Sequence, residues 1–474
     1  MNTTTDTAQN PNHFDLIVIG AGPGGYEAAL KAAHTGMNVC LVEQAALGGT
    51  CVNWGCIPTK ALLRSADLYE TITNAGSFGL KVDGCTLDFP AVIKRSRNVA
   101  LKLSKGVDFL MRRSKVTVVA GSASFISKHS ILVTGHDQDA SSQQTLTADH
   151  FIVATGARNR ILEGLEPDGK KVITSREALI LKAPPASLLV VGGGAIGIEM
   201  AWFYAMCGTK VTIIEQQPHL LPLEDVEVAE VLRRSFQKAG IDIYTAADIT
   251  AVDRSGEGLR LQLIVNNTPV QQELQAECML VAVGVTGNTD DLQLQNAGVI
   301  ATRGFIVTDS FCRTSVGHIF AIGDVRGGML LAHKASAEAV IAVETMLGKA
   351  PDLLNESKIP RCVYAEPSVA SVGFTEEKAI TSGYDVKVGR AMFSASGKAN
   401  AYGHLDGFVK LVFNAADETL LGGHVIGHGA VELIGELSLA RQLEVTATRL
   451  VKTVHAHPTL SETIREAAQQ AIRS

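Results

Sequence analysis

One stretch of this chain occurs twice. Leu16-Ile17-Val18-Ile19-Gly20-Ala21-Gly22-Pro23-Gly24-Gly25 returns as Leu188-Leu189-Val190-Val191-Gly192-Gly193-Gly194-Ala195-Ile196-Gly197, 172 residues further on (192 − 20). The register holds well beyond the glycines: Glu27 maps to Glu199, Gly36 to Gly208, Val39 to Val211 and Glu43 to Glu215. Each copy reads as an apolar strand, a G-x-G-x-x-G turn, a helix and a second strand ending in glutamate. Such a βαβ unit cradles a pyrophosphate at its helix N-terminus, through backbone N–H groups and the helix dipole. The terminal acid accepts hydrogen bonds from a ribose diol. A single glycine-rich turn is weak evidence, and two such turns in an ordinary α/β protein are the bland alternative. Two copies in register, each with its acid 23 residues after the first glycine (43 − 20, 215 − 192), point to an α/β fold with two dinucleotide sites. In the second copy Glu215 would repel a 2′-phosphate, and Gln216 and Gln217 offer no arginine to receive one. NAD(H) is therefore expected in preference to NADP(H).

Shortly after the first copy comes Gly48-Gly49-Thr50-Cys51-Val52-Asn53-Trp54-Gly55-Cys56-Ile57-Pro58-Thr59-Lys60. On a regular helix an i, i+5 pair lies roughly 8 to 9 Å apart between Cα atoms, from the rise and radius of the helix. A disulfide spans at most about 7 Å. A bond between Cys51 and Cys56 therefore requires a distorted entry into a helix, and a strained short-loop disulfide is the labile, redox-active kind. The neighbouring nucleotide unit suggests electron transfer between a bound cofactor and a dithiol. A simple disulfide, or two buried thiols, is the competing reading. The other six cysteines (Cys40, Cys85, Cys207, Cys278, Cys312 and Cys362) lie mostly in apolar or β-like stretches and read as buried reduced thiols.

Composition removes several classes of function. A net charge of −6 gives no support for nucleic-acid or anionic-membrane partners. No apolar run reaches the roughly eighteen residues of a spanning helix. Eight cysteines in 474 residues do not form a secreted disulfide framework. Met1 to Asn12 is polar without basic residues, unlike a signal or transit peptide, so a cytoplasmic location is expected. His455 and His457 lack a nearby third ligand, and no metal site is expected.

Two nucleotide units with a Cys-x4-Cys after the first resemble the flavin-dependent pyridine nucleotide–disulfide oxidoreductases, most of all those that handle lipoamide. Ala154-Thr155-Gly156-Ala157 resembles the family's crossing from flavin to nicotinamide domain. Phe320-Ala321-Ile322-Gly323-Asp324 resembles its second flavin motif, and Met329 to Lys334 the helix start that follows. Pro367 to Gly373 and His455-Ala456-His457-Pro458-Thr459-Leu460-Ser461-Glu462 resemble its interface domain. The resemblance extends from Asp15 to Glu466. It departs at Trp54, where smaller or basic residues are common, at Thr59 in place of serine, and at Gly284 to Asn288, which lack an arginine pair.

The resemblance implies two Rossmann-like domains, for FAD and NAD, plus a C-terminal α+β dimerisation domain. Expected bounds are 1–155 for the first part of the FAD domain, 156–283 for NAD, 284–350 for the FAD return segment and 351–474 for the interface. The region from Leu62 to Val107 is expected to be mostly helical. FAD would be held by Gly20, Gly22, Gly25, Glu43, Thr50, Lys60, Thr155, Gly156, Asp324, Met329 and Ala332. NAD would be held by Gly192, Gly194, Gly197, Glu199, Glu215 and Gly284. In the matching motif Cys51 exchanges with substrate and Cys56 faces the flavin. His457 is the base, oriented by Glu462, and it would serve the disulfide of the other subunit of a homodimer. Lys60, paired with Glu199, would stabilise charge on the reduced flavin; two solvated helix residues are the plainer reading. Thr459 and Glu462 also read as a capping box opening a last helix, Ser461 to Ile472. The implied partner is a lipoylated carrier protein of a 2-oxo-acid dehydrogenase or glycine-cleavage assembly. Glutathione-reductase-like and mercuric-reductase-like enzymes, or a carrier-docking assembly subunit, are the alternatives.

Overall fold

The computed structural model describes residues 11–135, 143–266, 268 and 271–473, so most of the polar N-terminal stretch and Ser474 lie outside the described residues. The chain forms two compact units. The first comprises residues up to Pro58, Ser96–Arg160 and Val285–Leu354; the second comprises Thr59–Arg95, Ile161–Gly284 and the chain from Asn355.

The first unit is built on one mixed sheet. Its strands run in the order Thr117–Ala120, Val39–Glu43, His13–Ile19, Gln143–Val153, Ser130–Thr134, Ser122–Ser127, and Ile319–Ala321 also pairs with Gln143–Val153. The pairs joining His13–Ile19 to Val39–Glu43 and to Gln143–Val153 are parallel, which places Ile19 beside both Val42 and Val153. Alternation along the strand sends Leu16 and Val18 to one face and Ile17 and Ile19 to the other. The first face packs Ala28, Ala29 and Ala32 of the helix Pro23–His34 and Ala339 and Ala342 of Ala332–Met346. The second packs Phe125 against Phe151, ring centroids 5.3 Å apart. With both faces covered, the central strand is apolar on both sides from Leu16 to Ile19, as a strand with parallel neighbours buried on two faces requires.

The second unit contains a five-stranded parallel sheet in the order Asp242–Tyr244, Lys210–Ile214, Ser187–Val191, Cys278–Val281, Val172–Ile173. A three-stranded antiparallel sheet spans Ala247–Asp253, Leu259–Val265 and Gln271–Ala276. The C-terminal part is a five-stranded antiparallel sheet, Arg361–Val363, Val369–Gly373, Leu420–Ile426, Phe408–Asn414 and Val386–Met392. The helices Ala430–Gln442 and Glu462–Arg473 pack on it through Ile434, Leu437, Ile464, Ala467 and Ala468. The stretch from Leu62 to Val107 is two helices, Cys56–Thr73 and Phe89–Arg113, parted by a largely exposed loop containing Gly79, Gly84 and Cys85. No helix among the described residues is long and apolar enough to cross a membrane.

Candidate active site

The sequence repeat is a repeat of hydrogen bonds. In the first copy Glu43 Oε2 accepts from the Ala21 amide at 2.7 Å and Oε1 from the Ala45 amide at 2.8 Å. In the second, Glu215 Oε2 accepts from the Gly193 amide at 2.6 Å and Oε1 from the Gln217 amide at 2.7 Å. Each partner is displaced by the same 172 residues (193 − 21, 217 − 45). The acids expected to meet ribose hydroxyls thus also fix the glycine turns, leaving their remaining lone pairs for a diol. Gly20 and Gly192 turn with φ of 101° and 110°, and a Cβ on Gly25 or Gly197 would come within 1.8 or 1.9 Å of the carbonyl oxygen of Gly20 or Gly192. Only glycine fits there.

Gly22 and Gly194 then cap the helices Pro23–His34 and Ala195–Met206 without a side-chain hydrogen bond, and neither helix has an acid in its first turn. Two helix N-termini therefore present amides that no side chain satisfies, a donor set that fits a pyrophosphate. Gly284, with φ of 100°, follows the strand Cys278–Val281 that pairs with Ser187–Val191.

The Cys51 loop is tied to the first of these turns. The Gly48 amide donates to Ala21 O at 2.9 Å, and a Cβ on Gly49 would meet the Gly22 Cα at 2.6 Å. Buried Asn53 donates from Nδ2 to Leu47 O at 3.0 Å and Gly49 O at 3.1 Å. A short helix, Gly49–Trp54, ends at Gly55, whose φ of −144° and ψ of −112° break the run before Cys56 opens the next helix. This break is the distortion the spacing demanded, and it brings the Cys51 and Cys56 sulfurs to 2.6 Å. Thr50 lies on the short helix. Two neighbours were not legible in the sequence. Arg97 stacks over the Trp54 ring at 4.1 Å and donates to the Asn53 carbonyl. The Tyr26 phenol, raised by burial, Glu27 and Cys51, stays protonated next to the thiol pair.

Asp324 sits in the tight turn Gly323–Arg326, directly after the strand Ile319–Ala321. Burial raises its carboxyl pKa, against the pull of Lys334, while Glu338 adds to the rise. A half-buried carboxylate of this kind is suited to accepting hydroxyl donors from a ligand. Glu338 is fully engaged: it takes the Gly323 amide at 2.7 Å and both Arg326 and Lys334 at 2.6 Å. The Lys-x3-Glu spacing was the available signal for that pair. Ala332 opens the helix Ala332–Met346, and Met329 accepts from the Leu331 amide just before it. At the crossing, Thr155 Oγ1 donates to Asn288 O and Asn288 Nδ2 returns to Thr155 O, both at 2.8 Å, while Gly156 O accepts from the Asn288 amide at 3.0 Å.

In the second unit Lys60 Nζ lies 2.8 Å from both oxygens of buried Glu199. The Tyr364 amide donates to the same carboxylate at 3.0 Å, and Lys60 stands 4.3 Å above the Tyr364 ring. The reading of two solvated helix residues is therefore wrong for this pair. Near the C-terminus one carboxylate does two tasks: Glu462 Oε1 meets His457 Nδ1 at 2.9 Å while Oε2 accepts the Thr459 amide at 2.9 Å. The Thr459 amide first, then His457, hold the Glu462 pKa below the usual range. The capping box is only half formed, because the Thr459 hydroxyl donates to Ala456 O and the last helix begins at Glu462. Burial pushes Cys40, Cys207, Cys278 and Cys312 up to about 12 and Cys362 to about 11, so these thiols stay protonated. Cys85, by contrast, is in the exposed loop and only half-buried.

Two nucleotide cradles, with a cysteine pair lashed to the first, define a nucleotide-dependent disulfide oxidoreductase. The pyridine nucleotide-disulphide oxidoreductase model matches residues 14–339, the dimerisation-domain model of the same family matches 359–468, and the chain belongs to this family. It is 60% identical over 461 residues to proteins named dihydrolipoyl dehydrogenase from Chlorobaculum parvum and Chlorobaculum tepidum, covering 97% of this chain and of each relative. It is also similar to the crystal structure of LpdA from Mycobacterium tuberculosis, with a TM-score of 0.88, 29% identity and coverage of 96% of this chain and 99% of that one.

Proposed function

We propose that this chain oxidises protein-bound dihydrolipoyl groups with NAD+, as a dihydrolipoyl dehydrogenase using FAD and a redox-active Cys51–Cys56 disulfide. The observation that carries this reading is the 2.6 Å approach of the two sulfurs on a loop hydrogen-bonded to a glycine-rich turn. We assign residues 1–155 and 284–350 to the FAD domain, 156–283 to the NAD domain and 351–474 to the interface domain of a cytoplasmic homodimer. Gly20, Gly22, Gly25, Glu43 and Asp324 lead the FAD set; Gly192, Gly194, Gly197 and Glu215 lead the NAD set.

The partner subunit's His457, oriented by its own Glu462, removes a proton from one substrate thiol. The thiolate attacks Cys51 Sγ, the Cys51–Cys56 bond breaks, and Cys56 leaves as a thiolate. The second substrate thiolate then displaces Cys51, releasing the cyclic disulfide and leaving the pair reduced by two electrons. FAD, when bound, supplies the passage between dithiol chemistry and the hydride acceptor NAD+. Lys60, held by Glu199, places a positive charge for the electron-rich state of that passage.

Steady-state rates with lipoamide and NADH, a panel of lipoylated carrier proteins, and glutathione disulfide with NADPH test this reading. Lipoyl substrates with NADH should be turned over fastest. Faster reduction of glutathione disulfide by NADPH would overturn it in favour of a glutathione-reductase-like enzyme, which the Glu215 carboxylate disfavours.

A further inference from the structure

Away from the nucleotide cradles, the second unit gathers a set of side chains that the proposed activity does not use. Glu366 follows the strand Arg361–Val363, His428 follows Leu420–Ile426, and His404 follows the helix Gly397–Tyr402. One ligand atom from each lies within 4.8 Å of the other two, the one such group among the described residues. The two imidazoles stack with ring centroids 4.0 Å apart and planes 5° from parallel. His428 Nδ1 stands 3.6 Å from Glu366 Oε2, beyond hydrogen-bond range, and is shut off from solvent without a hydrogen-bond partner. Asp67 Oδ1 is likewise enclosed and unpartnered. Asp67 and Glu70 stand close enough to Glu366 for its charge to raise both their pKa values, after burial as the main cause; Arg64 opposes the effect at Asp67. The cluster thus combines two imidazoles and one carboxylate ligand, with two further acids nearby and Arg64 opposing them at Asp67.

We propose that Glu366, His404 and His428 form a binding site for a divalent cation of the zinc class. Two neutral imidazole nitrogens and a carboxylate oxygen make the borderline donor set that such cations take, with a fourth position left to water. Bonds of about 2.0 to 2.2 Å in a tetrahedron put ligand atoms roughly 3.3 Å apart. The three atoms must therefore close by no more than about 1.5 Å. The stacked rings are parallel, so a cation in the plane of one lies off the plane of the other; binding turns one imidazole about its Cβ–Cγ bond and opens the stack. The surrounding acids supply the negative potential that favours a dication over a lone proton.

The test uses the oxidised holoenzyme, stripped with chelator and kept free of reductant so that Cys51 and Cys56 offer no thiolates. Titration with cobalt(II) should show one ion per chain, visible d–d absorption and no sulfur-to-metal charge-transfer band. Zinc should compete for the same site and raise the thermal midpoint. Loss of an outer-shell partner alone costs on the order of 10–100-fold in metal affinity. His404→Gln and His428→Gln, which keep side-chain volume, should each weaken cobalt binding by at least that much, and Glu366→Gln should weaken it too. His129→Gln, outside the cluster, should leave it unchanged. Substoichiometric cobalt, a thiolate charge-transfer band, or equal affinity in the His404→Gln/His428→Gln double variant would overturn the proposal.

Discussion

Replacing Lys60 by methionine isolates the energetics of the buried ion pair. Glu199 exposes 6% of its side chain and its carboxylate takes two contacts from Lys60 and one from the Tyr364 amide. Without Lys60 the carboxylate keeps one donor in a nearly closed site. Breaking a buried pair in this way costs about 3–5 kcal/mol. The Lys60 side chain is 31% exposed, so water offsets part of the loss, and the cost should fall to roughly 2–3 kcal/mol. Glu199→Gln removes the charge but still accepts from the Tyr364 amide, and the half-exposed ammonium recovers hydration; about 1 kcal/mol is expected. The double variant should cost less than the sum, giving a coupling of about 1–3 kcal/mol. Thermal melts of the holoenzyme read the series, at roughly 2 °C per kcal/mol for folding units of this size. Lys60→Met should thus lower the midpoint by about 4–6 °C, Lys378→Met on an exposed helix by under about 1 °C. Equal shifts for the two lysines, or additive effects of Lys60→Met and Glu199→Gln, would refute the reasoning.

His457→Gln should lower dithiol oxidation by about 10²–10⁴, the range for a lost general base, while NADH still opens the disulfide in the half-reaction; an unchanged steady-state rate would remove His457 from the mechanism. Glu462→Gln should lower the same rate to a constant degree between roughly pH 6 and 8. Its carboxyl is held below the ordinary value of about 4.3, so the His457 contact is complete above that value and is lost only as pH falls through the depressed one. Glu215→Gln should raise the KM for NADH and narrow the preference over NADPH, since the charge that repels a 2′-phosphate is gone; unchanged selectivity would contradict that role. Burial first, then Glu366, raises Asp67 to about 6. A raised folded value makes stability fall with rising pH between about 4 and 6. Asp67→Asn should therefore stabilise the metal-free enzyme above pH 6 by up to about 3 kcal/mol, read as a higher thermal midpoint, a gain that vanishes near pH 4.

Local patterns were the legible part of this molecule. The repeat carried through to the acceptor atoms of Glu43 and Glu215, because a strand–turn–helix unit is specified by residues close in sequence. The i, i+5 spacing of Cys51 and Cys56 likewise demanded a helix break, and Gly55 supplies it. What spacing cannot choose is a partner. Thr459 has the sequence of a capping residue, yet its hydroxyl goes to Ala456 O, and only the Glu462 half of the box forms. The Tyr364 amide that meets Glu199, and the Arg97 side chain that stacks on Trp54, come from distant segments that nothing local marks. Glu366, His404 and His428 are separated in the same way, so no metal-ligand spacing announces them. Leu62 to Val107 is mostly helical as expected, and the break between the helices Cys56–Thr73 and Phe89–Arg113 contains the turn signal Asp83-Gly84.

Electrons from NADH must open one sulfur–sulfur bond, Cys51–Cys56, for the proposed chemistry to run. Alkylation followed by peptide mass spectrometry measures this directly. In the oxidised holoenzyme Cys51 and Cys56 should resist reagent, and one equivalent of NADH without oxygen should make both alkylatable while Cys40, Cys278 and Cys312 stay unmodified. Labelling of Cys51 and Cys56 before NADH is added, or of neither afterwards, would contradict the account.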